Sequence, residues 1–392
     1  MIRRMIHRRM VHGRTTRTTM AGTMIESMME SMTQNMKLPK AKPEQGFTLV
    51  ELMISMAIGL TVMAAMASMF NTAMTSTMLV TQRAETQQNM RAGIDLMVKD
   101  LSLAGAGLPS GGIQLPTGAG SSLSKFGCDQ SGTCHVVSYN YVGNYMYGIL
   151  PGYSNGVEGG ASIPAAPAPA INDSVTSIYC DYNFPLWEYN VTFVGATGGS
   201  ITLAANPIYT PTPPAINSNG GIQVGDLIML SNSLGTAVGE VTNITTTTIT
   251  FGNSDPLNIN QSGAASNNIA AISGGANTVA YRLFAVTYYL TVPGVGQTPR
   301  LMRQVNGLTP VPVADDIINL QVAYDVYNTT TSALDANQAN PVAAGESPNN
   351  IQKINLVLMG ESILNSGGNQ SQSMYLATDV SARNMAFRNS YD

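Results

Sequence analysis

Glu51 is the one charged side chain in "FTLVELMISMAIGLTVMAAMASMF", the 24 residues from Phe47 to Phe70. A carboxylate in such a run costs roughly 2.5 to 3.5 kcal/mol on membrane-insertion scales, so it calls for a partner and a role. Just ahead of it stands Gly46, a small residue between a basic segment and the apolar run. Hydrolysis after Gly46 would release the basic leader and leave the helix on the mature chain. An ordinary secretory signal does the reverse, placing its small-residue cleavage site after a shorter apolar core. The remaining groups with chemical potential are few. They are Cys128, Cys134 and Cys180, the single histidine beyond the leader (His135), and the adjacent pair Asp315 and Asp316.

None of these assembles into a recognisable catalytic set. There is no HExxH, GxSxG, P-loop or post-strand GxGxxG pattern. Asp315 and Asp316 are consecutive, so in an extended chain they face opposite ways and cannot converge as an acid pair; they read as the start of a strand. The cysteines lack paired CxxC spacing, which argues against a zinc centre, and no DxDxDG-like calcium loop is present. An enzyme, a cofactor and a bound metal are therefore not expected.

The elements around Glu51 say more. At about 1.5 Å per residue, a helix over 47–70 would be roughly 36 Å long, enough to cross a hydrocarbon core. Residues 1 to 46 hold nine Lys and Arg (among them Arg3, Arg4, Lys37, Lys40 and Lys42) against three acids. That basic flank stays in the cytoplasm, so everything beyond the helix is exported. "MKLPKAKPEQG" from Met36 reads as a compact basic leader, and translation is expected to start at Met36, or at Met24, rather than at the arginine-rich beginning. Residues 47–392 carry ten Lys and Arg against twenty acids, a net −10, and no Lys or Arg lies between Lys125 and Arg282. Phosphate neutralisation needs a basic stripe, so direct nucleic-acid binding is not expected. In an oxidising periplasm, Cys128 and Cys134 would close the loop "CDQSGTC" and leave Cys180 as a thiol; Cys134–Cys180 is the alternative pairing.

Gly46-Phe47-Thr48-Leu49-Val50-Glu51 resembles the class III signal of type IV pilins and type II secretion pseudopilins. The resemblance implies cleavage after Gly46 by prepilin peptidase and N-methylation of Phe47. It also implies that Glu51, fifth in the mature chain, pairs with the N-terminal amine of a neighbouring subunit, an ion pair that offsets the desolvation of either charge alone. "QQNMRAGIDLMVKDLSLAGAG", residues 87–107, resembles the PilW family of minor pilins. Asn89, Arg91, Asp100, Ala104 and Gly105 match, and Ser102 stands where that family often has arginine. "AYRLFAVTYYL", "PRLMRQVNG", "VADDIINLQVAYDV" and the closing "VSARNMAFRNSYD" resemble its carboxy-terminal half.

Met90, Ile94, Met97, Leu101 and Ala104 fall on one helical stripe, with Gln87, Arg91, Asp95, Lys99 and Asp100 on other faces. Gly105, Gly107 and Pro109 are stop signals. The rest is β-rich. Period-2 alternation marks 318–327 and 353–358, and further strands are expected over 134–142, 188–195, 226–232, 236–251 and 279–292. Gly-, Pro-, Ser- and Asn-rich stretches at 105–122, 148–172, 206–221, 254–277 and 328–350 read as long loops.

The expected organisation is a leader (1–46), a transmembrane helix (47–70), its amphipathic continuation (71–105) and an exported β-rich head (106–392). This is an α+β, type IV pilin-like fold: a long helix packed on an enlarged antiparallel sheet. The expected function is that of a minor pilin in the initiation or tip complex of a type IV pilus. The alternatives are a J-type pseudopilin of a type II secretion system and a filament-borne adhesin. The expected partners are other pilins and minor pilins, prepilin peptidase and the inner membrane. The chain is expected to reside there before assembly and to move to the pilus and cell surface afterwards.

Overall fold

From Leu49 to Ser102 the sequence has no proline and only two glycines, and it forms one unbroken α-helix of 54 residues, α1. At about 1.5 Å per residue it is roughly 80 Å long. The computed structural model describes residues 46–116, 126–128, 131, 133, 135, 145–158, 172–260, 266–294, 297–362 and 372–386. The chain divides at Asn71/Thr72 into two units.

In the first unit, the described residues are the non-helical start at 46–48 and the apolar beginning of α1. None of the most apolar window of this helix is buried, and Leu49, Met53, Ile58, Met63, Met69 and Phe70 are all exposed. An apolar surface of this length that its own chain leaves uncovered suits a lipid or protein environment rather than water.

The second unit begins with the remainder of α1 and is otherwise strands. They are β1 (Ile113–Gln114), β2 (Tyr145–Met146), β3 (Ile149–Gly152), β4 (Ser174–Asp181), β5 (Tyr189–Phe193), β6 (Ser200–Ala205), β7 (Leu227–Asn232) and β8 (Gly235–Glu240). There follow β9 (Asn243–Ile244), β10 (Thr248–Thr250), β11 (Val279–Thr291), β12 (Arg300–Val305), β13 (Val311–Asp315) and β14 (Ile317–Asn328). The last are β15 (Ala333–Gln338), β16 (Ile351–Ser362) and β17 (Gln372–Ser381), with a single helical turn, α2 (Arg383–Ala386), after them.

Among the described residues these strands form four antiparallel sheets rather than one enlarged sheet. They are a β1–β2 ribbon, a four-stranded β5-β6-β10-β9 sheet, a seven-stranded sheet and a four-stranded β15-β14-β16-β17 sheet. The seven-stranded sheet turns on the 13-residue β11. One edge of β11 pairs with β4, while the other is shared between β7 at its start and β12 at its end.

The helix stripe packs as its periodicity predicts, with Met90, Ile94, Met97, Leu101 and Ala104 all buried. They join Val175, Tyr288, Leu301, Leu320, Tyr324, Leu356 and Leu358 in one core. Two glycines set how closely helix and sheets approach. A Cβ on Gly93 would lie 3.1 Å from Leu301 and 3.3 Å from Ala314, and one on Gly360 would lie 2.7 Å from Met90 Sδ. A second apolar cluster gathers Leu108, Ile113, Phe126, Leu227 and Leu283, and a third fills the space around Leu203, Leu230 and Phe251.

Several expected elements need correction. The span 236–251 is three strands, not one, because Thr245 closes a turn through Thr248 N–H to its Oγ1 at 3.0 Å. Asp315 ends β13, and Asp316, with φ of 62°, is the turn into β14. The loop expected at 328–350 contains β15, that at 148–172 contains β3, and that at 105–122 contains β1. The helix stops at Ser102, and Gly105 and Gly107 have left-handed φ of 78° and 75°. The strand expected over 134–142 lies outside the described residues except for His135.

Candidate functional site

The segment from Gly46 to Glu51 is built by the start of α1. Gly46, Phe47 and Thr48 precede the first helical residue and are exposed, with Phe47 at 87 %. A Cβ at Gly46 would meet nothing within 4 Å. The fold of this chain therefore does not demand a glycine there, and any demand for a small residue comes from whatever cuts the bond.

Thr48 and Glu51 form a reciprocal cap that was not anticipated from the sequence. Thr48 N–H and Thr48 Oγ1 both donate to Glu51 Oε2 at 3.0 Å, and Glu51 N–H donates to Thr48 Oγ1 at 3.2 Å. The Thr-x-x-Glu spacing at a helix start is the available signal for such a capping box. The chain's own helix thus engages Glu51 Oε2, while Oε1 makes no hydrogen bond among the described residues. One carboxylate can start the helix with one oxygen and still present the other to an incoming cation. Gly46 and Phe47 lie ahead of the helix on an accessible stretch, which suits a bond to be cut.

A second constellation lies in the other unit, where α1 meets the seven-stranded sheet. Asp100 was expected on a polar helix face; instead it is 2 % exposed. Its Oδ2 accepts from Arg303 Nε at 2.7 Å and from the Tyr288 hydroxyl at 2.6 Å, and its Oδ1 accepts from the Tyr179 hydroxyl at 3.2 Å. The Asp100 carbonyl accepts from Ser177 Oγ at 2.8 Å. Burial, followed by the Asp100 charge, raises the pKa of both tyrosines above the ordinary phenol value, so they remain protonated donors. Burial disfavours the Arg303 cation, but its hydrogen bond and charge pairing with Asp100 outweigh this and raise its pKa. The acid is immediately followed by Leu101 of the buried stripe, the one sequence hint of its burial. This arrangement fastens the helix to β4, β11 and β12.

The other singled-out residues do not converge on these places. Cys128 is disulfide-bonded, Cys180 is a buried thiol on β4, and Cys134 lies outside the described residues. His135 contacts Glu158 through Nδ1 and stacks on Tyr289 with centroids 5.7 Å apart. Thr291 Oγ1 donates to the other Glu158 oxygen. His135 is thus tied to the end of β11.

A family model described as the prokaryotic N-terminal methylation motif matches residues 41–67. That span contains Gly46, Phe47, the Thr48–Glu51 cap and most of the apolar half of α1. No curated protein and no solved structure matches the chain. The chain carries a prepilin-type signal of the kind borne by type IV pilin-like and pseudopilin proteins. The apolar helix that follows is consistent with membrane anchoring, and the architecture is consistent with an α+β pilin-like fold.

Proposed function

We propose that the chain is a non-enzymatic minor pilin of a type IV pilus, contributing to the initiation or tip complex from which the filament grows. The observation that carries this reading is the methylation motif over 41–67 leading without a break into a helix whose far end is buried in a large β head. Prepilin peptidase would cut after Gly46 at the cytoplasmic side of the inner membrane, and Phe47 would be the methylated amino terminus. The head would face the periplasm until assembly carries it to the cell surface. The PilW-like residues support the finer assignment, because Asp100 and Ala104 are among the buried residues that seat α1. The methylation motif also suits a pseudopilin of a type II secretion system, and that is the second reading.

The test is complementation of a deletion strain. Wild type should restore surface pili, and Glu51→Gln should still insert and be cleaved yet co-purify poorly with other minor pilins. Removing the acid would leave a neighbour's Phe47 amine unpaired in an apolar surround at a cost of roughly 3 to 5 kcal/mol. Full piliation by Glu51→Gln would refute the charge pairing. Loss of secreted proteins with normal pili in the deletion strain would favour the pseudopilin reading.

A further inference from the structure

A cleft of about 370 Å³ opens in the head between the β1–β2 ribbon and the tip of the β7–β8 hairpin. Its size is at the small end of the range for small-ligand sites. Tyr145 forms one wall, 37 % exposed, and its ring stacks on Tyr147 with centroids 5.8 Å apart and planes within 14°. Leu234, 60 % exposed at the hairpin tip, forms part of the opposite wall. Gln114, Thr236 and Asn267 add amides and a hydroxyl to the lining. None of the described lining residues carries a charge.

The walls are held in place without a ligand. Leu234 N–H donates to Asn232 Oδ1 at 2.9 Å, and Asn232 Nδ2 donates to the Ile272 carbonyl at 2.7 Å. The hairpin tip is thereby tied to the 3-10 turn Ile269–Ile272, which is capped by Ala271 N–H to Asn268 Oδ1 at 3.0 Å. On the other side, Gln114 and Tyr145 are paired directly across the β1–β2 ribbon.

We propose that this cleft binds a neutral saccharide, a mono- or disaccharide unit of a larger glycan. A pyranose has an apolar C–H face and a rim of hydroxyls. It fits a site that offers one aromatic ring, one aliphatic side chain and a set of neutral amide and hydroxyl groups. The chemistry of the lining selects against the alternatives. Among the described lining residues, a phosphate, sulfate or sialic acid would find no cation and a polyamine no carboxylate, and a fully apolar ligand would cover the exposed Gln114 amide without pairing it. The inference does not depend on which filament the chain joins.

The test uses the full mature chain in a detergent without a sugar headgroup, probed by saturation-transfer NMR with glucose, galactose, N-acetylglucosamine and lactose. At least one sugar should give saturable transfer, competed by unlabelled sugar and insensitive to salt. Tyr145→Ala should weaken it about tenfold, the loss of one aromatic stacking contact. Gln114→Leu, which keeps the ribbon and the cleft volume, should weaken it several-fold and decides the test if Tyr145→Ala does not fold. The proposal is overturned if no neutral sugar saturates, if Gln114→Leu binds as wild type does, or if sialyllactose binds more tightly than lactose.

Discussion

Replacing Asp100 by alanine should uncouple α1 from the seven-stranded sheet. The substitution removes the acceptor for three donors, Arg303 Nε at 2.7 Å, Tyr288 OH at 2.6 Å and Tyr179 OH at 3.2 Å. A hydrogen bond to a charged group contributes about 1.5 to 3 kcal/mol, and breaking a buried ion pair from one side costs about 3 to 5 kcal/mol. Tyr288 is fully buried and cannot find water, whereas the Arg303 side chain is 22 % exposed and regains some hydration. The lower half of the range therefore applies, about 3 to 4 kcal/mol. Asp100→Asn keeps the volume and one acceptor oxygen and should lose about 2 kcal/mol. Guanidinium unfolding of the detergent-solubilised mature chain, followed through the single Trp187, reads both values. The Asp100→Leu, Arg303→Met double variant should recover the part of the loss due to the unpaired cation, while the Tyr288 and Tyr179 hydroxyls stay without their acceptor. A loss below about 1 kcal/mol for Asp100→Ala, or strict additivity of the two single-site losses, would refute the fastening role.

Three further outcomes are expected. Gly46→Ala should be processed normally, because the chain has open space at that Cβ, whereas Gly46→Arg should accumulate as uncleaved precursor on immunoblots; a mature-sized Gly46→Arg product would count against the processing account. Peptide mapping under non-reducing conditions should recover a Cys128–Cys134 linked pair and an alkylatable Cys180 only after denaturation; a Cys134–Cys180 link would overturn that pairing. Glu240, which is fully buried, has its pKa pushed up to about 8 by burial, with the Asp255 charge adding to the rise and the Leu257 N–H opposing it. Its folded-state pKa lies above the ordinary 4.5, so the stability it lends is complete below about pH 4.5 and is lost as pH rises through about 8, by roughly 4 to 5 kcal/mol. Unfolding midpoints measured from pH 6 to 9 should fall for wild type and fall less for Glu240→Gln; parallel pH profiles would exclude this origin.

Features governed by near neighbours in the chain were legible in the sequence. The apolar run, its lone acid and the basic flank define a membrane-compatible helix from composition and length alone. The 4-3-4-3 spacing of Met90 to Ala104 fixes which helix face is buried, because a helix repeats its own geometry. The alternation in β14 and β16 likewise set Leu320, Val322, Tyr324, Leu356 and Leu358 inward, and all five are buried. The Thr48–Glu51 cap was equally local and could have been read from its spacing.

Other features depended on residues far apart in sequence, and tertiary structure decided them. β4 is buried along its whole length and reads Ser-Val-Thr-Ser-Ile-Tyr-Cys-Asp, with no alternation to reveal it. Two of its polar groups find partners far away in the sequence: Thr176 bonds Thr287 at 2.8 Å and Ser177 bonds the Asp100 carbonyl at 2.8 Å. β15 is a polar edge strand that exists because β14 offers it a ladder. Asp100 looked like a surface acid because its partners Tyr179, Tyr288 and Arg303 lie on three separate strands. A short pattern records which way a side chain faces along its own helix or strand. It carries no record of which sheet, or which cation, waits on the other side, and that was settled only when α1 closed on β4, β11 and β12.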